Sequence, residues 1–233
     1  MRVIEAVILG ICIILAAAIF GILHYESRLE EDVISVVGTA TKRFESDIVK
    51  WRINISRLVG LNELKSGYTL IQGDSKTVIE ELKSSDIGDK EIGIQPVSTI
   101  QRYDNYGQPT GYELHQTINV ISGNISKIEN LALNPSVFFD KGVVAQFFLE
   151  YYFSKLSDIK RELLAEATKD ARRRAEEIAD NSEAKIDKIN SARSGVFQIT
   201  EPYSTEVSDY GIYSTSTRIK DITVTVHVSF TLK

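Results

Sequence analysis

Residues 6–23 read AVILGICIILAAAIFGIL, eighteen positions without a charge, and beyond Tyr25 this uniform apolar run gives way to short alternating or helically spaced segments. A helix of that length at ~1.5 Å per residue spans roughly 27 Å, close to a bilayer core. The run therefore predicts a membrane helix over residues 3–23. A cleaved secretory signal is the competing reading, with Arg2 as its positive start and Ala16-Ala17-Ala18 as its cleavage site. Ile19, Phe20, Ile22 and Leu23 prolong the run past that site, which favours an uncleaved signal-anchor over 1–24. Residues 25–32 (YESRLEED) follow as a charged stalk.

The remainder, 33–233, reads as one domain. Segments 33–44 and 47–58 are predicted strands around a turn at Glu45-Ser46. In the second, Val49, Trp51, Ile53 and Ile55 alternate with Lys50, Arg52, Asn54 and Ser56, the period of a half-buried antiparallel strand. A helix is expected over 62–84, with Gly73-Asp74 as its weak point. Strands over 92–103 and 112–121 form a long hairpin around DNYGQPTG, with Pro96 marking an edge or a bulge. A short helix at 126–133 precedes a strand at 143–153, whose odd positions (Val143, Ala145, Phe147, Leu149, Tyr151, Phe153) form a core face.

The most regular helix covers 158–181, where Ile159, Leu163, Ala167, Ala171, Ala175, Ile178 and Ala179 recur every three or four residues. Ser157 or Asp158 would cap it. A strand at 196–200, a polar loop at 201–218 and an alternating strand at 222–232 complete the chain. The pattern is α+β, a mostly antiparallel sheet packed with two main helices and preceded by one N-terminal transmembrane helix.

Composition narrows the function. Net charge is −5 and stays so beyond residue 24, because residues 1–24 hold one Arg and one Glu, so a chain-wide basic footprint for nucleic acid is missing. Cys12, the single cysteine, lies inside the apolar run, which excludes an intramolecular disulfide. Arg2 before the run and the acidic stalk after it orient the N-terminus to the cytoplasm and the main domain outside it, periplasmic or cell-surface.

Several strings resemble the SIMPL-domain family, which includes bacterial periplasmic and outer-membrane-associated immunogenic proteins. The carriers are Ile34-Ser35-Val36-Val37-Gly38, Asp47, Gly111-Tyr112-Glu113-Leu114, the helix spaced by Ala167, Ala171, Ala175 and Ala179, and the closing strand 224–232. The chain departs from the family pattern at Ala40, where a second glycine is common, at Ser46, where a proline is common, and at 181–184, which lacks the glycines that usually follow the helix. The resemblance implies an extracytoplasmic protein that forms a homo-oligomer, ring-like or channel-like in some members, with a role in envelope or oxidative stress. It carries over no active site and no cofactor.

Candidate chemistry is sparse. His115 and His227 sit on the polar faces of two strands, and were those strands neighbours they could join Glu113 around a metal; isolated strand histidines are more often solvated, so no metal site is expected. His24 lies at the membrane boundary. Ser157-Asp-Ile-Lys160 and Ser182-Glu-Ala-Lys185 match S-x-x-K without its companion motifs, and no Walker, GxSxG or GxGxxG string occurs, so no catalytic role is expected. Arg172-Arg173-Arg174 is bracketed by Asp170, Glu176 and Glu177 and reads as a solvated face. Asn54 and Asn124 open glycosylation sequons.

The aromatic segment at 147–153 is the most pointed feature. Val144, Phe148 and Tyr152, opposite the core face, form the candidate oligomer interface, and Tyr203, Tyr210 and Tyr213 mark the loop 201–218 as a candidate interaction loop. The leading expectation is a membrane-anchored, homo-oligomeric structural or interaction module. The alternative is an envelope ligand-binding or chaperone-like protein that takes a small molecule or peptide on the hairpin 100–112 and the loop 201–218.

Overall fold

In the computed structural model, residues 2–26 and 33–233 are described. Helix α1 (Arg2–Glu26) contains the predicted anchor. Among the described residues no helix is long and apolar enough to cross a membrane. Within the run, the side chains of Ala6, Val7, Leu9, Cys12 and Leu23 lie outside those described, as do His24 and stalk residues 27–32.

The strands form two antiparallel-rich sheets, and the chain divides into two compact units built from interleaved segments. Three elements contribute residues to both: β1 (Val33–Glu45), α5 (Leu156–Asn181) and β10 (Ile219–Leu232).

The first unit comprises Met1–Ala40, Glu162–Val196 and Val224–Lys233. Its core joins Val36 and Ala40 of β1, Leu163, Ala167, Ala171, Ala175 and Ala179 of α5, and Val224, Val226, Val228 and Phe230 of β10, all buried. The alanine stripe works because its small side chains bring the helix backbone close to the strand: a Cβ built on Gly38 would stand 2.1 Å from the Ala167 carbonyl oxygen. Thr39 N donates to Asp170 Oδ2 at 3.0 Å beside that contact. Strand β7 (Ile186–Ser194) pairs antiparallel with β10, from Val226 opposite Ser194 to Leu232 opposite Ile186. The sequence pattern does not predict β7. Its side chains are almost all exposed, so it has no apolar alternation to read, and its main-chain bonds to β10 hold it in place.

The second unit comprises Thr41–Arg161 and Phe197–Thr223. Its sheet runs β3 (Ile92–Ile94), β5 (Pro109–Ser122), β2 (Ile48–Val59), β6 (Ala145–Tyr152), with β4 (Ser98–Tyr103) also pairing β5. The predicted single strand 92–103 is thus two strands against one partner. Pro96, which cannot donate to a ladder, falls in the gap between them. Helices α2 (Leu64–Ser84), α3 (Ile125–Leu133) and the unforeseen α4 (Ser136–Phe139) supply Ile71, Val78, Leu82, Ile128 and Phe138 to a core completed by Val49, Trp51, Ile53, Ile55, Leu114, Ile118 and Val120. A 3-10 turn spans Asp89–Glu91.

Helix α2 is continuous through Gly73-Asp74, because Asp74 is buried and held by Arg57 of β2, whose Nη2 donates at 2.6 Å. Residues Asp221, Ile222 and Thr223 of β10 pair with β8 (Gln198–Thr200), which runs parallel to β9 (Ile212–Tyr213) within the otherwise irregular segment 201–218. Helix α5 begins at Leu156, so Ser157 and Asp158 lie in its first turn rather than capping it.

Candidate functional site

Successive residues of a strand point to opposite faces. With Trp51, Ile53 and Ile55 in the core, Lys50, Arg52, Asn54 and Ser56 of β2 occupy the other face of the sheet. Register sets Arg52 opposite Asn119, Asn54 opposite Thr117 and Ser56 opposite His115 on β5. These side chains, with Gln95, Glu113 and Gln146, line a cleft of about 490 Å³.

Most of the polar groups here are already matched. Thr117 Oγ1 donates to Asn54 Oδ1 at 3.0 Å, so the first sequon asparagine is engaged inside the cleft. Arg102 Nη1 donates to Glu113 Oε2 at 2.9 Å, and His115 Nε2 lies 3.2 Å from Glu113 Oε1. The Arg102 hydrogen bond holds the Glu113 carboxyl below the usual carboxylate range, against an opposing effect of burial. Glu150 of β6 binds Arg52, with Lys50 Nζ at 3.5 Å and the Tyr152 hydroxyl donating at 3.0 Å. Burial pushes its carboxyl up, but the Tyr152 bond and the two cations outweigh that and leave it lowered.

Two polar atoms among the lining residues have no partner. Arg52 Nε and Asn119 Oδ1 are both buried and without a hydrogen bond. They belong to cross-strand neighbours, so an unmet donor and an unmet acceptor occur on one rung of the ladder.

The candidate oligomer interface borders this face. Val144 and Phe148 are exposed, at 55% and 45%, and the Arg52 guanidinium carbon lies 5.4 Å from the Phe148 ring centroid. Tyr152 is half-buried, its ring 6.4 Å from that of Tyr213, so one predicted interface residue and one predicted loop residue meet. Lys220 Nζ lies 5.8 Å from the Tyr213 ring and donates to the Tyr151 carbonyl. Lys220 is 1% exposed, and burial pushes its ammonium down to about 8. In the loop, Tyr203 has φ of 65° and stacks beneath Arg43 at 4.6 Å, while Tyr210 is fully exposed.

The remaining candidates are separate. The strands bearing His115 and His227 belong to different sheets, which removes the condition for their joint metal site. Among the described residues no group of three or more His, Cys, Asp or Glu side chains is placed to hold a metal ion. Arg173 and Arg174 pair with Asp170, and Arg172 pairs with Glu176, as a solvated helix face requires. Asn124 caps α3, its Oδ1 accepting from Lys127 N at 3.3 Å.

Sequence reasoning assigns the polar face of β2 to solvent and misses the cleft. Its signal was two polar faces, one on β2 and one on β5, and only their register shows that they combine. The fold is a two-sheet α+β fold with an open, amide-bearing sheet face. A family model described as SIMPL, protein of unknown function (DUF541), matches residues 34–232, and the chain belongs to the SIMPL family. No curated protein matches it.

Proposed function

We propose that the protein is a membrane-anchored, extracytoplasmic interaction module that assembles with copies of itself through the β6 edge and performs no catalysis. The observation that carries this reading is the state of that edge. β6 is the terminal strand of its sheet. Ser56 N donates to Val144 O at 3.1 Å, so by antiparallel alternation the even-numbered residues bond inward and the main chain of Ala145, Phe147 and Leu149 turns outward. An edge bearing exposed Val144 and Phe148 is a template for another strand. A second copy of the same edge fits it, since an antiparallel pair of identical strands is related by a twofold axis.

The anchor rests on the uncharged run 6–23 within a 25-residue helix and on exposed apolar side chains along it, among them Ile13, Ile14, Leu15 and Ile19. Such a surface favours lipid over water. Resistance of the full chain to alkaline carbonate extraction tests the anchor, and release into the supernatant would overturn it. Native mass spectrometry of detergent-extracted protein tests assembly. Oligomers in the wild type that become monomers in Phe148→Glu, with an unchanged melting temperature, are expected, whereas a monomeric wild type removes this part of the reading.

A second reading is favoured by the cleft of about 490 Å³ and the uncharged amides that line it, Asn54, Gln95, Asn119 and Gln146. They support an envelope ligand-binding protein whose site is the open face of the second unit's sheet.

A further inference from the structure

We infer that the open face of the first unit's sheet binds a phosphoryl group, through Arg193 and His227 together with the hydroxyls of Ser35 and Ser191. The β6 edge and the cleft on β2 and β5 belong to the second unit, so neither reading above depends on this site.

Register builds the site. Val226 and Val228 of β10 are buried in the core with α5, so His227 between them occupies the opposite face. The pairing of β7 with β10 sets Arg193 opposite His227 and Ser191 opposite Ser229, and directly opposed residues share a face. The Ser191 and Ser229 hydroxyl oxygens lie 2.7 Å apart. On β1, buried Val36 leaves its neighbours Ser35 and Val37 facing outward, and these line one cleft of about 510 Å³ with the four residues of β7 and β10. Ser35, Ser191, Arg193 and His227 are all exposed, so a ligand can reach each of them.

Charge decides the sign of the ligand. Among the described residues no carboxylate lines this cleft, and none forms an ion pair with Arg193. The arginines of α5 differ in this respect, since Arg172, Arg173 and Arg174 are each paired with Glu176 or Asp170. A chain of net charge −5 therefore holds an unmatched cation in a concave patch. An anion meets it without displacing an existing pair.

The number of donors selects among anions. The two oxygens of a carboxylate are met in full by one guanidinium fork, which would leave the hydroxyls and the imidazole unused. A phosphoryl group offers three acceptor oxygens that point in different directions. Here the donors come from three strands, Ser35 on β1, His227 on β10, and Ser191 and Arg193 on β7. Val37, 43% exposed, flanks them and suits the organic part of a phosphate ester.

The test is amide chemical-shift perturbation on the full chain in neutral detergent at constant ionic strength. Inorganic phosphate and glycerol 3-phosphate are titrated to about 10 mM, where millimolar binding approaches saturation. Phosphatidylglycerol is added to the same micelles in a parallel series, and acetate is the comparison anion. Saturable shifts at residues 35–37, 191–193 and 227–229 with a phosphoryl compound are expected. Shifts from the free compounds assign a soluble ligand, and shifts from phosphatidylglycerol only assign a lipid headgroup; both support the site.

Arg193→Gln should weaken binding at least about tenfold, the effect of losing a charged hydrogen-bond donor. Arg193→Lys should lose less, because the charge remains. Arg172→Gln, on the solvated face of α5, should change nothing. Arg193 is exposed, so an unchanged melting curve is expected in its variants; should one unfold, Ser35→Ala repeats the comparison. Undiminished binding in Arg193→Gln, equal weakening in Arg172→Gln, acetate binding as tight as phosphate, or shifts from no probe would each overturn the inference.

Discussion

Gly38 and Ala167 meet so closely that the strand residue has no room for a side chain: the nearest atom to a Cβ at Gly38 would be the Ala167 carbonyl oxygen, 2.1 Å away, with Ala171 N at 2.5 Å. Both obstacles are backbone, which cannot rotate aside. Gly38→Ala is therefore expected to cost about 2 kcal/mol or more, read as a lower denaturation midpoint. An unchanged midpoint would mean that α5 shifts freely on the strand.

Gly111 repeats the device in the second unit, where a Cβ would stand 2.2 Å from the Val59 carbonyl oxygen. The two glycines are among the residues that carry the family resemblance, and each marks a backbone-to-backbone approach.

At the far end of α5, Glu183 occupies the left-handed region with φ of 58°, and Ala184 N closes the helix onto Ala179 O at 3.0 Å. This is a helix terminus that glycine usually fills. Glu183→Gly should raise stability by about 0.5–1 kcal/mol, since the steric cost of that conformation outweighs the added freedom of the unfolded chain. A lower melting temperature in that variant would refute it.

Arg57 and Asp74 join β2 to α2, and Arg57 Nη2 also donates to the Gly142 carbonyl at 2.9 Å. Removing one partner strands the other. Asp74→Ala should cost about 3 kcal/mol, while Asp74→Ala combined with Arg57→Leu should cost less than the sum of the two single changes. Additive losses in chemical denaturation would deny the coupling.

Lys220 gives a pH dependence of definite sign. Its folded-state value of about 8 lies below the 10.5 of the free side chain, so between those values the unfolded chain binds a proton that the folded chain does not. Stability must rise with pH across that window. The Tyr151 hydroxyl, held at about 12 by burial and by its bond to Glu129, acts oppositely and lowers stability above pH 10. Lys220→Met isolates the first effect: relative to the variant, the wild type should gain about 3 kcal/mol from pH 7 to pH 10.5. A flat difference would contradict it.

Where side chains alternate, the chain could be read directly. β2, β6 and β10 each carry an apolar face of period two and were predicted within three residues of their observed ends. Elements held mainly by main-chain bonds could not: β7 is exposed almost throughout, its Ile186, Ile189 and Ala192 spaced by three rather than two, and β9 has only two residues. The same limit hid the cleft. Arg52 and Asn119 lie 67 positions apart, each unremarkable on its own strand, and only the pairing of β2 with β5 makes them neighbours. The aromatic pattern, by contrast, does single out Tyr152 and Tyr213, although nothing in it says that their rings approach each other.

The interleaving of the two units governs the order in which the protein can form. The second unit draws its last segment from Phe197–Thr223, but the first needs Val224–Lys233, the strand half that supplies Val224, Val226, Val228 and Phe230. During folding, α5 and the start of β1 therefore keep an apolar stripe uncovered until that strand half docks. Anything that delays the docking of Val224–Lys233 prolongs a vulnerable intermediate, so proteases and holding chaperones would act on this protein chiefly through that strand half.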